Sequence, residues 1–234
     1  MNILAIDTST EVLSLSLSVD GSTWQAEIDA GTRHSELMME WIDKLTGSAG
    51  LDRGQLQLII CMKGPGSFTG LRIGYAAAKG LSAALGIPVI AVPTLDCIAF
   101  SHSEWPGIVM PVIDAKKNCF FAAFYRGGKR LTDYLDSGAQ DLVTVLDTLK
   151  LAKNEPLFVT GPGTGLFIGE IPEFAAAGGI VRDRFPSRGR SAEMLHFREI
   201  LQIPDNFGIL DYREGLYSGP LYIRKSDAEL SLDK

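Results

Sequence analysis

The sequence is poor in the residues that build disulfides and metal centres. Its 234 residues include only three cysteines and three histidines. Cys61, Cys97 and Cys119 are odd in number and form no C-x-x-C pair, which argues against a disulfide framework. Cys61 and Cys119 fall within predicted strands, where buried free thiols are expected. Such thiols suit a reducing compartment, so we expect a cytoplasmic protein.

Long apolar runs and an excess of basic residues are also missing. The most apolar stretch, 81–92, is broken by Gly86 and Pro88 and is too short to span a bilayer. The first residues contain no basic segment or apolar core, which argues against a signal peptide. The net charge of −6 argues against a protein that binds nucleic acid by itself. We therefore expect a soluble globular protein with no membrane partner.

One segment departs from this charge balance. The stretch Arg182–Arg190 places four arginines around Phe185. A solvated loop and a contact with nucleic acid or a nucleotide phosphate both remain open as interpretations.

The most distinctive stretch is glycine-rich and runs from Gly64 to Gly74, with the sequence GPGSFTGLRIG. It lies between an apolar run of strand length, Leu56–Met62, and a helix-forming stretch, Tyr75–Leu85. A phosphate at the helix start is physically plausible. The motif nevertheless fits neither a P-loop nor a dinucleotide fingerprint, so an anion site and a tight structural turn both remain open.

The first half of the chain reads as three strands followed by alternating helices and strands. Val12–Val19 alternates leucine or valine with serine, as a strand with one apolar face does, and Asp20-Gly21 predicts a hairpin. The remaining predicted elements are strands at Ile3–Ile6, Thr23–Ile28 and Val89–Val92, and helices at Arg33–Thr46 and Thr94–Phe100, with Thr94 as N-cap.

The second half repeats this order. Its predicted strands are Met110–Asp114, Cys119–Tyr125, Arg130–Leu135 and Pro156–Thr160; its helices are Leu142–Lys150 and Ser191–Gln202; and a second glycine turn lies at Gly161–Gly165. The sequence therefore predicts two βββαβα half-repeats, each with an aspartate, Asp7 or Asp114, ending its first strand. We place the boundary between two α/β lobes at 105/106, giving lobes 1–105 and 106–234.

This arrangement resembles the actin, sugar-kinase and Hsp70-like ATPase fold, whose lobes are ribonuclease H-like. The resemblance implies that the two aspartate turns face a nucleotide cleft, with Asp7, Thr8, Ser9, Asp114, Gly161 and Gly163 as nucleotide-binding residues. Aspartates there would hold hydrated magnesium or a catalytic water. The alternative is that Asp7 and Asp114 only cap turns.

Four stretches resemble the TsaB (YeaZ) family: Ile3–Glu11, Arg33–Glu36, Gly64–Gly74 and Pro220–Arg224. The likeness is close over residues 1–125 and weak between 130 and 215. It implies a non-catalytic component of the bacterial machinery that forms threonylcarbamoyladenosine in tRNAs reading codons that begin with adenosine. In that machinery the paralogue TsaD transfers the threonylcarbamoyl group from threonylcarbamoyl-AMP, and the ATPase TsaE joins the pair.

The metal ligands of TsaD have no counterpart here. TsaD carries two histidines four residues apart on a helix, and Thr94 and Ile98 occupy those positions. We therefore expect no catalytic residue and no metal site in this chain, which weakens a metallopeptidase function. A small-molecule kinase of the same fold remains the alternative, although it needs a catalytic base and a complete adenosine-binding turn.

The first two helices carry more apolar and small residues than a core stripe requires, which indicates a partner. The predicted interface residues are Leu37, Met38, Trp41, Leu45, Gly70, Gly74, Ala77 and Ala78. The resemblance implies that these helices form a bundle with those of TsaD, that the same surface forms a homodimer when TsaD is absent, and that tRNA binds only through the complex. We expect no tightly bound cofactor, with ATP or ADP and magnesium at or near the TsaD interface.

Overall fold

A computed structural model describes residues 1–149, 155–176, 178–200 and 219–223. The chain divides into two compact units. The first unit comprises Met1–Cys97 with Ser187–Pro220, and the second comprises Ile98–Pro186 with Leu221–Lys234.

The first unit is a five-stranded sheet covered by helices. Its elements are β1 (Ile3–Asp7), β2 (Val12–Val19), β3 (Ser22–Asp29), α1 (His34–Ser48), β4 (Leu58–Gly64), α2 (Phe68–Leu85) and β5 (Val89–Pro93), followed by α3 (Thr94–Phe100), which crosses into the second unit. The strand order is β3-β2-β1-β4-β5, with β1 antiparallel to β2 and parallel to β4. This order confirms the three antiparallel strands predicted at the start of the chain.

The hairpin between β2 and β3 follows directly from its turn residues. Asp20 and Gly21 both have positive φ, at 47° and 84°, the conformation that a two-residue turn between twisted strands requires. The turn sets the register, so that Leu13, Leu15 and Leu17 all point into the hydrophobic core below α1 and α2. A shift of one residue would place serines there instead.

The serine face of β2 is buried as well, because the last described helix, α7 (Ser191–Ile200), covers it. The Ser191 hydroxyl lies 2.6 Å from Ser14 Oγ and 2.7 Å from Ser16 Oγ. These contacts place the described residues 187–200 in the first unit, whereas the predicted boundary at 105/106 assigned them to the second lobe. Residues 201 and 202 of the predicted Ser191–Gln202 helix lie outside the described residues.

The second unit repeats the strand order of the first. Its elements are β6 (Ile108–Asp114), β7 (Phe120–Ala122), β8 (Tyr125–Arg126), β9 (Lys129–Arg130), β10 (Leu135–Ser137), α4 (Ala139–Thr148), β11 (Leu157–Thr160), α5 (Thr164–Glu170), α6 (Pro172–Ala176) and β12 (Ile180–Arg182). The order β10-β7-β6-β11-β12 corresponds to β3-β2-β1-β4-β5. Lys150, the predicted end of the first helix of this half, lies outside the described residues.

Two predicted strands of the second half are each split in two. Val112 pairs with Ala122 and Val109 pairs with Tyr125, so the register places Pro111 opposite the break at Ala123. Because proline has no N–H to donate, the hydrogen bonds between the two strands are interrupted at Pro111. The predicted strand 119–125 therefore becomes β7 and β8, and 130–135 is replaced by the short strands β9 and β10.

The three thiols are free, but only two lie in the core. Cys61 in β4 and Cys97 in α3 are buried, while Cys119 precedes β7 and is partly exposed, which corrects its predicted place inside a strand. Burial raises the pKa of the Cys61 thiol to about 12 and raises that of Cys97 well above its ordinary value. Across the described ranges, no helix is long and apolar enough to cross a membrane.

Candidate functional site

The turn after β1 holds the first predicted nucleotide-binding aspartate, and its carboxylate is fully engaged by the chain itself. Asp7 is only 1% exposed. Its Oδ1 accepts hydrogen bonds from Ser9 N at 2.9 Å and from Ser9 Oγ at 2.7 Å, and its Oδ2 accepts from Arg190 N at 3.0 Å. The geometry is the Asx-type turn of the simpler interpretation. Arg190 closes it from the other side, a contact that no local sequence signal indicated.

Hydrated magnesium does not fit at Asp7 as the chain stands. Burial raises the pKa of the carboxyl, and the hydrogen bonds from Ser9 and Arg190, with the Arg190 charge, oppose that shift without cancelling it. A magnesium ion keeps several waters and needs an accessible carboxylate. Asp7 offers neither space nor exposure, because Ser9 and Arg190 already occupy both of its oxygens.

Asp7 gives the stability of the fold a defined pH dependence. Because its pKa is raised in the folded protein, the folded state keeps the proton at pH values where the unfolded chain has released it. The Asp7 contribution is therefore fully present below the unfolded pKa, about 3.9, and is lost as the pH rises through the folded pKa.

The measurement is the free energy of unfolding against pH for the wild type and for Asp7→Asn. The unfolding free energy of the wild type minus that of Asp7→Asn should fall as the pH rises across this window. A constant offset from the amide does not change this trend. A difference that stays flat or rises would contradict the raised pKa of Asp7 in the folded protein.

The second predicted aspartate, Asp114, ends β6 and is partly exposed. Its Oδ1 accepts from Lys116 N at 2.7 Å, and its Oδ2 lies 2.6 Å from Lys116 Nζ. Partial burial would raise the pKa of Asp114, but the hydrogen bonds from the Lys116 side chain and backbone, with the lysine charge, outweigh it and hold the pKa below its ordinary value. Lys116 therefore pairs with the carboxylate in the free chain.

The second glycine turn packs tightly on the same edge of the sheet. Gly161 has a φ of 91°, and a Cβ there would lie 2.6 Å from Val112 O. A Cβ on Gly163 would lie 2.9 Å from Asp114 N, and Gly163 N donates to Val112 O at 2.9 Å. The structure thus brings Asp114, Gly161 and Gly163 together in the second unit, and Asp7, Thr8 and Ser9 together in the first.

The long glycine motif is mostly helix, which corrects the predicted start of the second helix at Tyr75. α2 begins at Phe68, with the Ser67 hydroxyl accepting from Gly70 N at 3.2 Å as N-cap. Gly66, Gly70 and Gly74 let the helix approach the Asp7 turn. A Cβ on Gly66 would lie 2.6 Å from Ser9 O, one on Gly70 would overlap Thr8 O, and one on Gly74 would overlap Thr8 Oγ1. The motif is therefore a close-packing turn and helix start.

This packing changes the predicted partner interface. Gly70 and Gly74 contact Thr8, while Met38, Leu45 and Ala78 are buried in the core, so none of these five offers a surface to a partner. The prediction placed Gly70 and Gly74 on a partner-facing side of the second helix. Once the helix begins at Phe68, these glycines fall on its inner side.

A different set of residues forms the outer surface of the two helices. We call it the α1–α2 face. Its half-buried members pack on the core with one side only and are Leu37, Trp41, Ile73, Ala77 and Leu81; its exposed members are Ala76, Gly80, Ala83 and Ala84. The Lys44 ammonium lies 4.3 Å from the centre of the Trp41 ring. Of the predicted residues, Leu37, Trp41 and Ala77 remain on this face.

The two positions at which the resemblance to TsaD implies metal ligands are buried here. Thr94 and Ile98 lie in α3 and are 1% and 2% exposed. The Thr94 hydroxyl has no hydrogen-bond partner among the described residues, which corrects its predicted role as N-cap. A threonine hydroxyl and an isoleucine do not form a two-histidine site.

Two sheets with the same strand order, each with an aspartate at the end of its central first strand, define an α/β protein of the actin-like ATPase fold with ribonuclease H-like lobes. Residues 28–167, more than half of the chain, match the family described as TsaD, tRNA N6-adenosine threonylcarbamoyltransferase. The chain belongs to this family, and its relatives place it in the TsaB (YeaZ) group within it.

Similar proteins support this placement along the whole chain. The tRNA threonylcarbamoyladenosine biosynthesis protein TsaB of Bacillus subtilis is 28% identical over 232 residues, covering 98% of this chain and 96% of that protein. TsaB of Escherichia coli is 34% identical over 129 residues, covering 54% of this chain and 55% of that protein. The solved structure of YeaZ from Pseudomonas aeruginosa superposes with a TM-score of 0.71 at 21% identity, covering 94% of this chain and 100% of that one, and shares its fold.

Proposed function

We propose that this chain is a non-catalytic partner of TsaD in forming the threonylcarbamoyl group on adenosine of tRNAs that read codons beginning with adenosine. The observation that carries the proposal is the loss of the metal position. Thr94 and Ile98 are buried in α3 where the transferase of the family has its two histidines. The chain keeps the fold of the family and lacks these ligands, so its contribution is to bind and support the paralogue.

The α1–α2 face is the surface for that partner. Its aromatic anchor is the half-buried Trp41, a residue type enriched at interface hot spots. Beside it α2 exposes the small residues Ala76, Gly80, Ala83 and Ala84. Small residues let a second helix approach closely, so a helix pair of TsaD would complete a bundle on this face.

The same face would serve a homodimer when TsaD is absent, so the two assemblies compete. TsaE joins the TsaD pair elsewhere in the complex, and tRNA binds through the assembled proteins. This competition can be observed directly. As the concentration of TsaD rises, a homodimer of this chain should be converted into the mixed pair with TsaD.

The chain alone binds no nucleotide tightly, and ATP or ADP with magnesium binds at or near the junction with TsaD. The closed carboxylate of Asp7 supports this assignment, because both of its oxygens accept hydrogen bonds from the chain. The aspartate turn of the first unit is therefore not the magnesium site.

Reconstitution of the tRNA modification tests the proposal. TsaD supplied with threonylcarbamoyl-AMP, TsaE, ATP and unmodified tRNA should modify the tRNA in the presence of this chain and much less without it. The chain alone should modify none. Modification by the chain alone, or an equal yield from TsaD with and without it, would contradict the proposed role. ATP-dependent phosphorylation of a small acceptor by the isolated chain would favour the kinase alternative.

A further inference from the structure

The most exposed large apolar side chain among the described residues lies outside the α1–α2 face. It is Phe185, 71% exposed, in the turn that follows β12. Arg182 and Arg184 flank this turn and are both exposed. Neither guanidinium is ion-paired with a described residue, whereas Arg188 pairs with Glu193 at 2.8 Å.

The turn is held firmly although its tip is in solvent. Phe185 N donates to Asp183 Oδ1 at 2.9 Å, which fixes the backbone of the aromatic residue. Asp183 Oδ2 in turn accepts from Thr160 Oγ1 at 2.6 Å and lies 3.5 Å from His102 Nε2. The His102 ring packs on Phe158, with ring centres 4.6 Å apart. Asp183, held by Thr160 and His102, thus fixes the backbone at Phe185 while the phenyl ring remains exposed.

A groove lies beside the first arginine of the turn. It has a volume of about 390 Å³ and is lined by apolar residues of α5 and α6, among them Ile168, Pro172 and Ala175, with Arg182 on its border. Pockets of about 300–1,000 Å³ are the size that small ligands or single groups of a larger ligand enter. The turn therefore combines an aromatic plane, two cations and an apolar recess within the second unit.

We propose that the segment Arg182–Phe185 is a contact site for single-stranded RNA. A base stacks on the Phe185 ring while Arg182 and Arg184 bind the neighbouring phosphates, the combination by which proteins hold single-stranded nucleic acid. The inference rests on the proposed function for the identity of the RNA, an unpaired loop or end of the tRNA that the complex modifies. RNA recognition commonly uses such unpaired bases on aromatic side chains.

RNA fits this site better than a protein partner does. A protein hot spot is an anchor surrounded by contacts that exclude water. Phe185 instead stands largely in solvent, directly after Arg184 and three residues after Arg182, and Pro186 follows it. A charge of −6 over the whole chain makes such a local basic turn a weak RNA site alone, measurable at low salt and strengthened when other proteins supply further contacts.

The test measures the affinity of the full chain for a labelled single-stranded oligoribonucleotide of about ten nucleotides by fluorescence anisotropy, at low and moderate salt. Phe185→Leu keeps an apolar side chain but removes the ring, so binding should weaken by about 5- to 100-fold. Phe185→Trp should bind as well as the wild type or better. Arg182→Ala with Arg184→Ala should reduce the slope of log affinity against log salt by about 0.7 per arginine. Lys129→Ala, which removes an exposed cation of the same unit, should change neither quantity.

Association of each variant with TsaD is measured separately by light scattering. The proposal is overturned if the wild-type chain does not bind the RNA, or if Phe185→Leu and the wild type bind it equally. It is also overturned if Phe185→Leu loses TsaD and keeps its RNA affinity, because the turn then docks a protein. A chain that binds RNA through Phe185 yet never associates with TsaD would contradict the proposed function and leave the RNA site standing.

Discussion

Replacing Gly80 by leucine is expected to abolish binding to TsaD and to a second copy of this chain while the protein stays folded. A Cβ at Gly80 meets nothing within 4 Å, and its backbone is helical, so leucine fits and even improves helix propensity. In the assembly, however, the new side chain would occupy the space through which a partner helix approaches α2. Trp41→Glu should weaken the same two associations, because it removes the aromatic anchor of this face.

Loss of an interface anchor commonly costs about 2–4 kcal/mol, or about 30- to 700-fold in affinity. Isothermal titration with TsaD and light scattering of the chain alone measure the two associations. Gly169→Leu is the matched control, because Gly169 is also an exposed helical glycine with open space around it but lies on α5. Assemblies that survive both Gly80→Leu and Trp41→Glu would show that partners use another surface.

The second large effect is expected from Gly70, ten residues earlier on the same helix. Gly70→Ala would place a methyl group against the Thr8 carbonyl oxygen, and that oxygen belongs to the backbone of the tight turn after β1. Neither α2 nor this turn moves freely, because the Thr8 hydroxyl also donates to Gly70 O at 2.8 Å. We expect a loss of about 3 kcal/mol or more in unfolding free energy, at the upper end of overpacking costs.

For a chain of this length that loss corresponds to a drop of about 6–12 °C in the unfolding midpoint. Gly80→Ala is the control on the same helix, and it should be neutral or stabilising by up to about 1 kcal/mol. Equal midpoints for the two alanine variants, measured by circular dichroism, would mean that the glycine motif does not hold the helix against the Asp7 turn.

Much of the architecture could be predicted because local sequence patterns determine it. The leucine–serine alternation of β2 and the Asp20-Gly21 turn fix a hairpin and its register without help from the rest of the chain. The repetition of strand order and of the aspartates at positions 7 and 114 then led to two equivalent sheets. Both signals act within about twenty residues or repeat along the chain, so a single sequence suffices to find them.

The parts that could not be predicted depend on contacts between distant residues. The serine face of β2 looks solvent-facing until Ser191, 177 residues beyond Ser14, covers it. The Asp7 carboxylate likewise looks open to a ligand until Arg190 N closes it. Gly70 and Gly74 looked available to a partner because the sequence does not show which side of α2 packs against Thr8. In each case the sequence indicates the residue type but not what that residue faces in the folded chain.

The α1–α2 face is the surface through which we propose that this chain supports TsaD. The most direct measurement is the rate of threonylcarbamoyl transfer to tRNA by TsaD reconstituted with TsaE and increasing amounts of the wild-type, Gly80→Leu or Lys129→Ala chain. The proposed role of this face predicts that the wild type and Lys129→Ala stimulate the reaction equally and that Gly80→Leu fails to do so at matched concentrations. Full stimulation by a folded Gly80→Leu chain would contradict it.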